Sequence, residues 1–130
     1  MRRHIGTMAI LAGLGLVGAL SWTGTAWAEG RNQISFADDV YPILHYRCLG
    51  CHQTGGPGTE QSGLNLETYE GVMKGTKHGQ VVIPGSADGS SLIRLVTGDA
   101  AIRMPHNQKR LTSCEIDTLR RWILQGAKNN

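Results

Sequence analysis

Cys48-Leu49-Gly50-Cys51-His52 is the segment whose residue types and spacing can do chemistry. Two thiols three residues apart can form thioether links to the two vinyl groups of one porphyrin, and the next residue then sets its imidazole beneath the iron as proximal ligand. Other uses of the same side chains are open. A disulfide-exchange site would employ both thiols, but such sites start a helix in a longer strand-helix-strand unit, for which the chain has no pattern. A zinc site would take Cys48, Cys51, Cys114 and His106 as four ligands. A plain structural disulfide is the simplest use. Covalent haem attachment through Cys48 and Cys51, with His52 on the iron, is the reading this pattern favours.

An iron bound in this way has a second face, and the candidates for it differ in reach. Met104 stands in Arg103-Met104-Pro105, where Pro105 biases it towards an extended backbone and stiffens the loop. It follows His52 by 52 residues, enough chain to pass round the ring edge and approach from the opposite side. His106 is retained as a substitute ligand, because residues two apart in an extended segment point the same way. His45 precedes His52 by seven residues, two helical turns or about 10 Å along one face, and belongs at the surface or the pocket edge. His78, between Lys77 and Gly79, reads as a solvent-exposed loop residue, and Met73, beside Val72, as ordinary core packing.

The elements that must hold these residues are short. Ser35, with Asp38 three positions on, is a cap candidate for a helix carrying Val40, Ile43 and Leu44; Pro42 restricts its regular part to begin near Asp39. From Gln53 to Gly63 the composition is that of a loop, able to wrap the proximal edge of a flat cofactor and to offer a backbone carbonyl to the second nitrogen of His52. Thr68 to Met73 is a short helix ended by Gly75. Val81-Val82-Ile83 is an apolar run cut off by Pro84-Gly85. Ser90 or Ser91 caps a helix closed by Gly98. Thr112 with Glu115 makes a capping box for the last helix, whose Ile116, Leu119 and Ile123 share one face with Trp122 beside them, ahead of Gly126. The fold class expected is all-α, short helices and Gly-rich loops wrapped round one covalent haem.

The chain has 130 residues. Arg2, Arg3 and His4, an apolar stretch from Met8 to Trp22, and Ala26-Trp27-Ala28 form the pattern of a cleaved leader, residues 1–28. The apolar stretch has 15 residues, short of the roughly 20 that span a bilayer, so no membrane anchor is expected after cleavage. The remainder, Glu29–Asn130, makes a single domain. Without Arg2 and Arg3 the overall charge of +3 falls to +1, which excludes a basic nucleic-acid binder. Only Phe36, Tyr41, Tyr46, Tyr69 and Trp122 remain as aromatics, a thin supply unless a cofactor fills part of the core.

The segments Phe36-x-x-Asp39-Val40-x-Pro42-Ile43-Leu44, Cys48-x-x-Cys51-His52, Gly63-Leu64-x-Leu66, Val82-Ile83-Pro84-Gly85, Ser91-Leu92-Ile93, Arg103-Met104-Pro105 and Leu119-x-x-Trp122-Ile123-x-x-Gly126-Ala127 resemble, in that order, the planctomycete-type cytochrome c domain, within the class I cytochromes c. The resemblance implies terminal helices packed crosswise, His/Met ligation by His52 and Met104, and electron transfer. His106 stands where the family often has a second proline, and Cys114 at a helix start that usually carries no thiol. Cys114 is a candidate for a disulfide to a second copy or another exported protein. The expectation is a periplasmic single-haem carrier, or the electron-carrying subunit of an exported oxidoreductase, serving redox partner proteins and without substrate chemistry of its own. The alternative class is a haem sensor or gas-binding module in which Met104 dissociates.

Overall fold

The helix leading to the paired thiols begins where side chains supply its missing partners. The computed structural model describes residues 33–130, so the expected leader, residues 1–28, lies outside the described residues. Ser35 Oγ accepts the Asp38 N–H at 3.1 Å, and the Asp39 carboxylate accepts the Ser35 N–H at 2.8 Å. The helix starts at Phe36, ahead of the expected Asp39, as a π-helical turn, Phe36–Val40, that runs into α1, Tyr41–Arg47. Pro42 is the reason for both pieces. It has no N–H for Asp38, four residues back, and its ring would crowd that carbonyl; the wider turn, closed by the Tyr41 N–H on the Phe36 carbonyl, accommodates it.

Four short helices follow: α2, Leu49–His52; α3, Pro57–Ser62; α4, Tyr69–Lys74; and α5, Ser91–Thr97. The longest, α6, Ser113–Leu124, comes last. Helix α3 corrects the loop expected from Gln53 to Gly63. Pro57 occupies the first helical position, where its missing N–H is no loss, and Gly63, at φ 79°, ends the helix in the left-handed region. Thr68 caps α4 by accepting the Gly71 N–H, and Thr112 and Glu115 form the reciprocal box on α6.

Among the described residues there is no strand, only an isolated bridge between Thr76 and Gly79. The apolar run Val81-Val82-Ile83 buries its first two side chains and exposes the third. Ser90 precedes α5 but does not cap it through its side chain. Its buried hydroxyl instead accepts the Ile83 N–H at 2.8 Å and donates to the Ser86 carbonyl at 2.7 Å.

The start of the first helix and the end of the last are joined. Phe36 meets the Trp122 ring with centroids 5.6 Å apart and the edge of Tyr69 at 5.2 Å. Around that cluster Tyr69 donates its hydroxyl to the Ala127 carbonyl at 2.8 Å, and Trp122 Nε1 donates to the Lys128 carbonyl at 2.9 Å. The tail is also tied to the start of the chain's first helix: the Ser35 hydroxyl donates to the Asn130 carbonyl at 2.7 Å, and the Ile34 N–H to the Gln125 side chain at 2.8 Å. Tyr41 adds to the aromatic cluster, 6.2 Å from Phe36, so four of the five aromatics form one cluster.

Trp122 is 1% exposed with its polar N–H satisfied, so it stabilises through both area and a hydrogen bond. Replacing Trp122 by Ala is expected to lower the unfolding free energy by about 3–5 kcal/mol, measured by denaturant titration; a loss below about 1 kcal/mol would show that this cluster does not hold the termini together.

Candidate functional site

The three residues at the chemical centre of the sequence fall within one helical turn. The Cys48 N–H donates to the Leu44 carbonyl at 2.9 Å, ending α1, and the Cys48 carbonyl accepts from Cys51 at 3.1 Å and from His52 at 3.0 Å, beginning α2. Leu49 points into the core and Gly50 is exposed. Both thiols are free, and burial pushes the Cys48 thiol up to about 11 against the pull of the Arg47 charge.

His52 is held from the far side of the following turn. Its Nδ1 lies 3.2 Å from the Leu64 carbonyl, and its own carbonyl accepts the Leu66 N–H at 2.8 Å. A carbonyl only accepts, so Nδ1 carries a proton, and in the neutral ring that places the lone pair on Nε2. The carbonyl expected from the 53–63 loop therefore comes from the residue just after it. Helix α3 closes over the ring: a Cβ on Gly58 would lie 2.8 Å from His52 Cε1 and 2.9 Å from the Cys51 carbonyl oxygen. Thr59 Oγ1 donates to the same Leu64 carbonyl at 2.8 Å.

The turn is locked further out by a polar knot. The Glu67 carboxylate accepts the Thr54 N–H at 2.9 Å and the Asn65 side-chain amide at 2.7 Å, besides the Thr54 hydroxyl. The Thr54 hydroxyl, the Asn65 amide and the Thr54 N–H, in that order, hold the Glu67 carboxyl below its usual value. Gly58 and Thr59 were not legible as site residues, because a stretch rich in Gly, Thr and Gln reads as loop composition. The sequence signal that points to them is Pro57, a first-turn residue followed six positions later by a glycine stop.

Met104 lies half-buried on the segment between α5 and α6, next to buried Pro105. Its N–H donates to the Leu95 carbonyl at 2.9 Å, which fixes its backbone to the end of α5. His106 is exposed, as are His45 and His78, and Met73 packs partly buried against the core. Arg47, one residue before the first thiol, joins this segment to the paired-thiol turn. Its guanidinium donates to the carbonyls of Lys109 at 2.8 Å and Arg110 at 2.7 Å, and its Nε lies 3.4 Å from Glu115 at the start of α6. Burial works to raise the Glu115 carboxyl, but the Thr112 N–H and hydroxyl and the charges of Arg47 and Lys109 outweigh it and leave it below its usual value. Cys114, exposed, is the second residue of α6.

This geometry weighs on the rival uses of the thiols. A disulfide-exchange site needs a thiol shifted towards thiolate, and Cys48 is shifted the other way. Among the described residues no three His, Cys, Asp or Glu side chains gather as a metal cluster, so Cys48, Cys51, Cys114 and His106 do not form the zinc site that their identities allow. A pair of thiols in one turn, followed by an imidazole with its Nδ1 anchored and its Nε2 left as the nitrogen for a metal, fits covalent haem.

A helical chain with such a turn is compatible with the c-type cytochrome class. The family model described as planctomycete cytochrome C matches residues 48–107. That segment, which includes Cys48, Cys51, His52 and Met104, is similar to the planctomycete cytochrome c family, and a cytochrome c domain implies haem c and haem-based electron transfer. The two flanking pieces of the resemblance, in the first helix and in α6, lie outside the matched residues. No curated protein and no solved structure matches the chain.

Two outcomes follow from these contacts. Gly58→Ala forces a methyl against the imidazole and the Cys51 carbonyl and is expected to cost about 1–3 kcal/mol in thermal or denaturant unfolding. The depressed Glu67 carboxyl contributes stability that is present above the ordinary value of 4.5 and lost as pH falls below it through the folded value. Wild type should therefore exceed Glu67→Gln in melting temperature at neutral pH, with the gap narrowing on acidification below pH 4.5; a gap constant with pH would show that the carboxylate's charge plays no part.

Proposed function

We propose that this protein is an exported single-haem electron carrier, its haem bonded through Cys48 and Cys51 and its iron held between His52 and Met104. The observation that carries the reading is the bond from His52 Nδ1–H to the Leu64 carbonyl within a Cys-x-x-Cys-His turn, because it sets the tautomer and orientation that an iron-binding imidazole requires. When bound, haem supplies an iron that passes between ferric and ferrous states and so moves one electron per encounter.

The chain's own residues tune that exchange. The His52 imidazole, made more basic by the Leu64 carbonyl, favours the ferric state, whereas a thioether from Met104 favours the ferrous state and raises the potential. The backbone bond from Met104 to Leu95 and the Arg47 bonds to Lys109 and Arg110 support the segment that bears the sulfur. With His52 and Met104 both holding the iron, oxygen or a substrate would find no place on it, which would suit outer-sphere transfer. A net charge near zero outside the leader gives little long-range steering, so docking to redox partners depends on local contacts. The leader pattern supports a periplasmic location. Cys114, exposed at the start of α6, is available for a disulfide to a partner.

The test is the optical spectrum of the purified protein made with haem-maturation machinery, oxidised and reduced, with acid-solvent extraction. Pigment that stays with the polypeptide and a sulfur-to-iron charge-transfer band in the oxidised form are the expected results; pigment that extracts freely, or is absent, overturns the reading. Met104→Ala should abolish that band and lower the potential by on the order of 100 mV, within the range that axial ligands span, while His106→Ala changes little. Rapid stoichiometric carbon monoxide binding by the reduced wild type at neutral pH would favour the sensor class.

A further inference from the structure

The Leu64 carbonyl serves two donors, and they are not equal. Thr59 Oγ1 approaches it to 2.8 Å, a full-strength O–H···O bond, while His52 Nδ1 stands at 3.2 Å, the long limit for N–H···O. A carbonyl oxygen has two lone pairs, and charge drawn towards one donor is lost to the other. The hydroxyl therefore takes the stronger share and leaves the imidazole a weaker acceptor than a carbonyl of its own would be.

We propose that Thr59 is a positioning residue that, by sharing the Leu64 carbonyl, weakens the hydrogen bond from His52 and so raises the reduction potential of the bound haem. The proposal rests on His52 being the proximal ligand. A stronger Nδ1–H bond gives the imidazole more imidazolate character, which stabilises ferric iron; a weaker one does the reverse. Thr59 touches neither the iron nor the ring in this scheme and acts through the oxygen it shares.

The surroundings keep the carbonyl in place without Thr59. The Leu64 N–H donates to Ser62 Oγ at 3.1 Å, the Leu66 N–H to the His52 carbonyl at 2.8 Å, and Leu64 itself is buried. Thr59 is separately anchored by the backbone: its carbonyl accepts the Gly63 N–H at 2.7 Å at the end of α3. Removing the hydroxyl thus changes what the carbonyl can give to His52 more than where it sits.

The experiment compares haem-loaded wild type with Thr59→Val, Thr59→Ala and Thr59→Ser, by potentiometric titration and by the proton resonance of His52 Nδ1–H in the diamagnetic reduced protein. Val and Ala both lack the hydroxyl and should raise the ferric-to-ferrous ratio about threefold at the wild-type midpoint, a fall of about 28 mV at 59 mV per tenfold change. They should also move the Nδ1 proton downfield as its bond strengthens. Ser keeps the hydroxyl and should match wild type in both readings. Unchanged potential and resonance in Val and Ala, with covalent haem and the sulfur-to-iron band intact, overturn this inference and leave the haem reading standing. The same holds if Ser shifts as far as Val, or if Val and Ala fail to fold where Ser folds, since the hydroxyl is then structural. Wild type without covalent haem overturns both together.

Discussion

The bond between His52 Nδ1–H and the Leu64 carbonyl is the constraint on which the rest of this structure depends. An imidazole on a surface turn rotates freely and exchanges its proton between two nitrogens, and in either case it is a poor fixed ligand. A carbonyl placed at Nδ1 removes both freedoms at once, since only one tautomer can donate to it. Placing that carbonyl requires the chain to return from α2 to within hydrogen-bond reach over 12 residues. Helix α3, the left-handed Gly63 and the Leu66 bond to the His52 carbonyl are the means of that return. The polar knot of Thr54, Asn65 and Glu67 ties the two ends of the excursion together on the solvent side.

The remainder of the fold is arranged around the same turn. Arg47 precedes the first thiol and reaches the segment between Met104 and α6 through two backbone carbonyls. An arginine bonded to two carbonyls and facing one carboxylate is held in a single geometry, which suits it to join segments far apart in sequence. The capping box of α6 supplies that carboxylate, Glu115, so one side chain both starts a helix and faces the arginine. The aromatic cluster of Phe36, Tyr69 and Trp122 closes the fold by uniting the first and last helices with α4.

Local signals carried well where one residue's chemistry decides the outcome. The Thr112 and Glu115 box, the Thr68 start and the Gly98 stop are where the sequence puts them, because a cap is a contract between residues three or four apart. The regular helix begins at Tyr41 with Pro42 in its first turn, close to the expected start near Asp39; the π-helical turn Phe36–Val40 ahead of it has no signal in the sequence. Gln53–Gly63 reads as loop throughout, since Gly55, Gly56 and Gly58 around Pro57 outweigh the helix that Pro57 begins. Ser90 failed as a side-chain cap because a buried hydroxyl is drawn to the nearest unpaired backbone group, here the Ile83 N–H.

What the amino-acid order alone determined is the identity and spacing of Cys48, Cys51 and His52. A motif of five adjacent residues carries its chemistry in covalent geometry, and the family match to residues 48–107 agrees with it. The helical class was likewise written in caps and apolar spacing. Only the tertiary structure decided which carbonyl meets the imidazole, that Thr59 shares it, that Gly58 must lack a side chain, and that Arg47 spans to Lys109 and Arg110. Those contacts depend on the path of the backbone between distant residues, and hydrogen bonds to main-chain oxygens leave no trace in side-chain identity, because every residue has the same carbonyl to offer.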